Sequence, residues 1–196
     1  LPALPDVSGV VDGDAFAQAV SQVIIAASRD DTLPILTGVR MEIEDDLITF
    51  LATDRYRLAL RELQWKPATP GISTSALVKA KTLNEVAKTL GGGGDLNIAL
   101  SGDSELIGFE SGGRRTTSLL VDGDYPKIRS LFPENTPIHA TVETHALVEA
   151  VRRVSLVAER NTPVRLAFTD GQVTLDAGTG EDAQASEALE ASLIGD

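Results

Sequence analysis

Few residues in this chain have the types or spacing needed for covalent chemistry. His139 and His145 are the only imidazoles, and neither stands at a metal-ligand spacing or beside a Gly-x-Ser-x-Gly nucleophile elbow. With no cysteine there is no thiol nucleophile, thiolate metal site or disulfide. Gly91 to Gly94 could cradle a phosphate, but no Gly-Lys-Ser/Thr follows, so a helix stop and loop is the better account. The pairs Asp30-Asp31 and Asp45-Asp46 could hold a hard cation, yet they fall where solvated loop carboxylates are ordinary. The sequence therefore gives no reason to expect catalysis, a metal or a cofactor.

Composition narrows the classes further. The formal charge of −12 disfavours a simple basic nucleic-acid-binding module, so the distribution of cations matters more than the total. No Lys or Arg follows Arg165, while Glu181, Asp182, Glu187, Glu190 and Asp196 make that end acidic. No apolar run approaches the roughly 20 residues that span a bilayer, and a soluble, cytoplasmic protein is expected. Leu1 to Asp6, opening with Leu-Pro-Ala-Leu-Pro, reads as a linker and suggests a fragment.

The elements that must position any site come from periodicity. Phe16, Ala19, Val20, Val23, Ile24 and Ala27 recur at helical spacing, with Asp12 or Asp14 available as N-cap. Leu83, Val86, Ala87 and Leu90 predict a second helix ending at the glycines, and Leu147, Ala150, Val151, Val154 and Val157 a third after Thr144. Strands are expected at 39–43, 47–52 and 56–63 after the first helix, and at 96–100, 105–109 and 115–120 after the second. Two more are expected at 164–168 and 173–175, followed by a polar turn from Gly178 to Asp182. Each unit thus reads as strand, helix, then three strands.

The units also repeat in sequence. Phe16, Ala19, Val20, Val23, Ala27 and Arg29 align at one constant offset with Leu147, Ala150, Val151, Val154, Ala158 and Arg160, and all but the first pair are identical. Beyond a change in loop length, Val39-Arg40, Thr49 and Ala52 meet Val164-Arg165, Thr174 and Ala177. That offset spans two helical units, so a domain holds two of them. The expected organisation is a linker at 1–6, a complete domain at 7–133 and the first half of a second domain at 134–196.

Three stretches carry a more specific signal: Thr32-Leu33-Pro34-Ile35-Leu36-Thr37-Gly38, then Ala52-Thr53-Asp54-Arg55-Tyr56-Arg57-Leu58-Ala59, then Val121-Asp122-Gly123-Asp124-Tyr125-Pro126. With Ala158-Glu159-Arg160-Asn161 and the duplication, they resemble, in order and spacing, the bacterial sliding clamp family (the DNA polymerase III β subunit). The resemblance covers essentially the whole chain. It implies an α+β clamp fold of repeated strand-helix-three-strand units, helices on one face and antiparallel sheets on the other. The 7–133 segment would be the middle of three domains and 1–6 the linker from a missing first one.

The implied function is that of a non-catalytic processivity factor: a head-to-tail homodimeric ring around double-stranded DNA, bound without regard to sequence in the cytoplasm at the nucleoid. Replicative polymerase, clamp loader and repair proteins would insert short peptides into an apolar cleft on the outer face. Carried over by motif, its wall is Leu36, Thr53, Arg55, Tyr56, Arg57, Leu58, Pro126, Ser130 and Leu131. Arg55 and Tyr56 stand where many relatives have Gly and His. DNA-facing cations would be Arg29, Lys79, Lys81, Lys88, Arg152 and Arg153, in or beside the helices, and Ser155 and Leu156 would fall at the subunit contact. Two alternatives stay open: an enzyme fragment whose catalytic half is missing, and a repeat-built structural protein that never meets DNA.

Overall fold

The computed structural model describes residues 5–102, 105–158, 162–178 and 184–195. It divides into two compact units, residues 1–132 and 133–196.

In the first unit the chain runs β1 (Val7–Asp12), α1 (Gly13–Val23), β2 (Gly38–Glu44), β3 (Leu47–Thr53), β4 (Leu58–Gln64), β5 (Lys66–Pro67), β6 (Ser73–Lys79), α2 (Ala80–Leu90), β7 (Asp95–Leu100), β8 (Leu106–Ser111) and β9 (Arg114–Leu119). Helix α1 starts where the Asp12 carboxylate accepts the Ala15 amide at 2.8 Å as the N-cap, while Asp14 in the first turn accepts the Gly93 amide at 3.2 Å. Helix α2 ends at Gly91. The strands form two antiparallel sheets, β5-β1-β7-β8-β9 and β4-β3-β2-β6. The strand preceding each helix joins the sheet of the other repeat: β1 pairs β7, and β6 pairs β2. Neither repeat can therefore complete its sheet alone.

One core lies beneath both sheets and both helices. The helical positions Phe16, Ala19, Val20 and Val23 and their counterparts Leu83, Val86 and Leu90 are all buried in it. The Phe16 ring meets Phe50 of β3 edge-on at 5.9 Å and Phe109 of β8 at 5.8 Å, so one side chain joins the two sheets. Strand β3 differs from its neighbours because both its faces are covered. Ile48, Phe50 and Ala52 enter this core, whereas Leu51 packs on the other face with Leu77, Tyr125 and Ile128. That second layer belongs to the strap of residues 121–132, which begins as the Val121 amide donates to the Leu77 carbonyl at 2.8 Å.

The second unit contains β10 (His139–Val142), α3 (Thr144–Val154), β11 (Arg165–Thr169), β12 (Gln172–Ala177) and β13 (Ala185–Ile194), in the sheet order β10-β13-β12-β11. Ala150 and Val154 of α3 are buried against Val173, Leu175, Ala177 and Ala191. The end of β13 pairs β10 much as β5 pairs β1. The opposite edge of β10, where β1 carries β7, has no partner among the described residues.

Two expectations need correction. The strand read from Tyr56 begins only at Leu58, because the Asp54 carboxylate accepts the amides of Tyr56 and Arg57, each at 3.1 Å, and folds 54–57 into a turn. Strand β13 has no counterpart in the sequence reading. Its run of Ala, Glu, Ser and Leu is poor in β-branched residues and follows the polar turn, which lies, apart from Gly178, outside the described residues, as does Arg160.

Candidate peptide cleft and phosphate-facing hollow

The end of β3 is where the first site forms. Thr53 is buried and its backbone amide donates to the Tyr125 hydroxyl at 3.0 Å, tying the strap to the strand. Burial pushes the Tyr125 phenol above its ordinary pKa, outweighing the donated Thr53 N–H, which acts in the opposite direction. The Thr53 hydroxyl donates to the Arg57 carbonyl at 2.9 Å and accepts the Arg55 amide at 3.1 Å. Desolvation raises the Asp54 carboxyl, but the amides of Tyr56 and Arg57 and the Arg57 guanidinium outweigh it, and its pKa is held below the usual value. Arg57 donates through Nε to Asp54 Oδ2 at 3.0 Å, so its charge is matched within the turn. Arg55 in this turn has φ of 79°, a left-handed backbone that costs a residue with a side chain about 1 kcal/mol.

The strap closes the other side. Arg129 donates to the buried Thr49 hydroxyl at 3.0 Å and sits 3.7 Å from Glu42 and 3.6 Å from Glu62, holding the strap across the sheet. At Gly123, φ is 133° and a Cβ would fall 2.7 Å from Ile35 Cδ1, so the strap needs glycine to approach the Pro34–Thr37 turn. Between turn, strand end and strap lies a cleft of about 410 Å³, within the range of small-ligand and peptide sites.

Of the residues expected in its wall, Leu36, Thr53, Arg55, Leu58, Pro126 and Leu131 line this cleft together; Tyr56, Arg57 and Ser130 do not. Tyr56 is almost fully exposed outside it. Leu36 is buried, whereas Leu131 is 63% exposed and is not a core residue. Sequence reasoning missed Thr32, Leu33, Pro34, Ile35, Asp124 and Ile128 as lining. All but Ile128 lie inside the stretches quoted for the resemblance, so the signal was present there.

A second hollow, of about 800 Å³, opens at the junction of α1 and α2. Arg29, Lys79 and Lys81 line it together with Ser28, Asn84 and one carboxylate, Asp31, and it shares only Pro34 with the cleft. Lys88 is exposed two turns further along α2. None of these four cations makes an ion pair among the described residues. Arg152 and Arg153 on α3 differ: Arg152 Nη1 is 2.6 Å from Glu149, and Arg153 grips both oxygens of Glu187 at 2.6 and 2.8 Å. That bond draws the Glu187 carboxyl down and the Arg153 guanidinium up. Ser155 and Leu156 follow α3 and are exposed, Leu156 at 84%.

The residues weighed for other chemistry have ordinary local roles. Asp30 accepts the Thr32 amide and hydroxyl, and Asp45 accepts the Gly71 amide. Gly94 accepts the Gly13 amide at the start of α1. His139 lies 3.4 Å from the Thr136 hydroxyl, and His145 is exposed in the first turn of α3. No group of three or more potential metal ligands occurs among the described residues, and no helix is long and apolar enough to cross a membrane.

Comparison with known proteins bears on the family and the fold. A protein named Beta sliding clamp from Micrococcus luteus is 68% identical over 193 residues, covering 98% of this chain and 62% of the relative. The Beta sliding clamp of Streptomyces coelicolor is 56% identical over 199 residues, covering 100% of this chain and 53% of the relative. The chain thus spans little more than half the length of these relatives. The crystal structure of the DNA polymerase sliding clamp from Bacillus subtilis superposes with a TM-score of 0.87 at 26% identity, covering 100% of this chain and 52% of that one. The fold is therefore the α+β clamp fold. The family description "DNA polymerase III beta subunit, central domain" matches residues 10–127, and its "C-terminal domain" matches residues 129–196. Two successive domains of one subunit, matched in order along the chain, place it in the DNA polymerase III beta subunit family, the bacterial sliding clamps.

Proposed function

We propose that this chain contributes the peptide-binding and DNA-facing parts of a non-catalytic processivity clamp. Residues 7–133 serve as the middle domain, and 134–196 belong to the last domain. The whole subunit, as a homodimeric ring, surrounds double-stranded DNA and tethers the replicative polymerase, the clamp loader and repair proteins through short peptides, at the nucleoid in the cytoplasm. Family membership favours this reading over a fragment of an enzyme.

One observation carries the reading: a single unit holds an apolar cleft and a cation-lined hollow with almost separate linings. The cleft offers Leu36, Leu58, Pro126 and Leu131 as apolar surface for anchors, with Thr53 and Arg55 as polar groups for register. The hollow offers Arg29, Lys79 and Lys81, with Lys88 beyond it, for phosphate contacts that carry no base information. Arg152 and Arg153 have to leave Glu149 and Glu187 to reach phosphate, and so add little to the contact.

The test separates the two functions. A labelled peptide carrying Gln, Leu and an aromatic anchor is titrated by fluorescence anisotropy, with a labelled duplex in parallel and circular dichroism to check folding. Leu131→Asp puts a carboxylate into the apolar wall and is expected to weaken peptide binding at least about tenfold, with DNA binding retained. Lys81→Glu is expected to weaken DNA binding and leave the peptide unaffected. Loss of both ligands from both folded variants refutes separate sites.

A further inference from the structure

We propose that Arg55 makes the cleft selective for peptides that carry a carboxylate side chain beside their apolar anchors. This rests on the peptide-cleft reading and adds to it the charge of the preferred partner.

The turn after β3 holds two arginines in different states. Arg57 is matched by Asp54 at 3.0 Å, but the Arg55 guanidinium makes no hydrogen bond or ion pair among the described residues, and Arg55 lines the cleft. Its backbone is left-handed, with φ of 79°, a geometry glycine would adopt without strain. The Thr53 hydroxyl and the Asp54 carboxylate fix that turn by four hydrogen bonds to the backbone of residues 55–57, so a long cationic side chain is held at the cleft despite the strain. The Asp30 carboxyl is held below its ordinary pKa chiefly by the Thr32 hydroxyl at 2.7 Å and amide at 2.9 Å, both on Oδ1, and least by the charge of Arg55, with which it makes no ion pair. Arg55 thus brings a guanidinium with no hydrogen-bond or ion-pair partner among the described residues to a lining in which Thr32, Thr53 and Asp124 are the other polar side chains.

Long-range electrostatics opposes this preference. A chain of net charge −12 repels an acidic peptide as a whole. At physiological ionic strength that field decays over about 8 Å, while a guanidinium in the wall acts at contact distance. A net gain from one acidic residue therefore has to come from a local cation. Asp124, the one carboxylate among the described lining residues, makes the effect depend on position along the peptide.

The experiment uses this chain and fluorescein-labelled Gln-Ala-Leu-Ala-Ala-Phe, with each Ala replaced in turn by Asp and by Asn, titrated at about 0.15 M salt. At one Asp position the affinity is expected to exceed that of the Asn counterpart by about 3- to 10-fold. The Asp/Asn ratio is expected to fall to about one in Arg55→Gln and in Arg55→Gly, the latter suited to the left-handed backbone, and to survive in part in Arg55→Lys. An Asp/Asn ratio near one at every position overturns the inference, as does a preference that persists in both neutral variants. If neither the parent nor any substituted peptide binds the folded chain, the peptide-cleft reading falls and the inference falls with it.

Discussion

The Tyr125 hydroxyl joins the strap to β3 through one buried hydrogen bond, accepting the Thr53 amide at 3.0 Å. Tyr125→Phe keeps the ring but leaves that amide without a partner, which costs about 1–3 kcal/mol. Trp65, the only tryptophan, is buried in the core of the same unit, so its fluorescence reports the loss. The urea midpoint is expected to fall by on the order of 1 M; an unchanged midpoint would mean that water replaces the hydroxyl. Because burial raises the phenol's pKa above 10.0, the buried neutral Tyr125 contributes stability that is fully present below that pH and is lost as pH rises through the higher folded value, a dependence Phe removes. Leu156 sits at the other extreme, 84% exposed on the turn after α3. The resemblance assigns it to the subunit contact, and on that reading Leu156→Ser is expected to reduce concentration-dependent self-association in sedimentation with unchanged circular dichroism. Loss of folding would assign it to packing instead.

Helices were the most legible elements because their apolar spacing coincides with one buried face: Phe16, Ala19, Val20 and Val23 in α1 are all interior. Strand β13 was illegible because its Ala, Glu and Leu have no β preference; pairing with β12 and β10 decides its state. The cleft was legible only through the family resemblance, which supplied Leu131 as well as the residues of the three stretches. Tyr56 and Arg57 fall inside one of them, yet Asp54 turns the chain so that Arg55 reaches the cleft and they do not. Helix α3 is held by two carboxylates far apart in sequence. Glu143 caps it by accepting the Ala146 and His145 amides, which lower its pKa, and Glu187 of β13 is lowered by its bond to Arg153. A carboxylate lowered in the folded state contributes stability above its unfolded pKa of about 4.5 and loses it as pH falls through the folded value. Amide exchange in α3 is therefore expected to accelerate relative to α1 below about pH 4.5, and Glu143→Gln is expected to flatten that change. Equal acid sensitivity in Glu143→Gln and the parent chain would remove the cap from this role.

Across the whole molecule the charge is −12, so any affinity for DNA has to come from cations free to meet phosphate. Arg29, Lys79, Lys81 and Lys88 are exposed and unpaired among the described residues, whereas Arg152 and Arg153 already neutralise Glu149 and Glu187. An arginine that must leave a carboxylate to reach a phosphate gains little and releases fewer counterions. Four free cations on duplex DNA predict a slope of log affinity against log salt of about −3 to −4, and so roughly a 100-fold loss between 50 and 200 mM salt. Lys81→Glu is expected to make that slope shallower by about one, while Arg153→Ala leaves it nearly unchanged because its charge is already matched. The measurement is anisotropy of a labelled duplex across a salt series, repeated with a second unrelated sequence to check that affinity does not follow base order. A slope near zero, or equal changes from Lys81→Glu and Arg153→Ala, would move the DNA contact away from the hollow between α1 and α2.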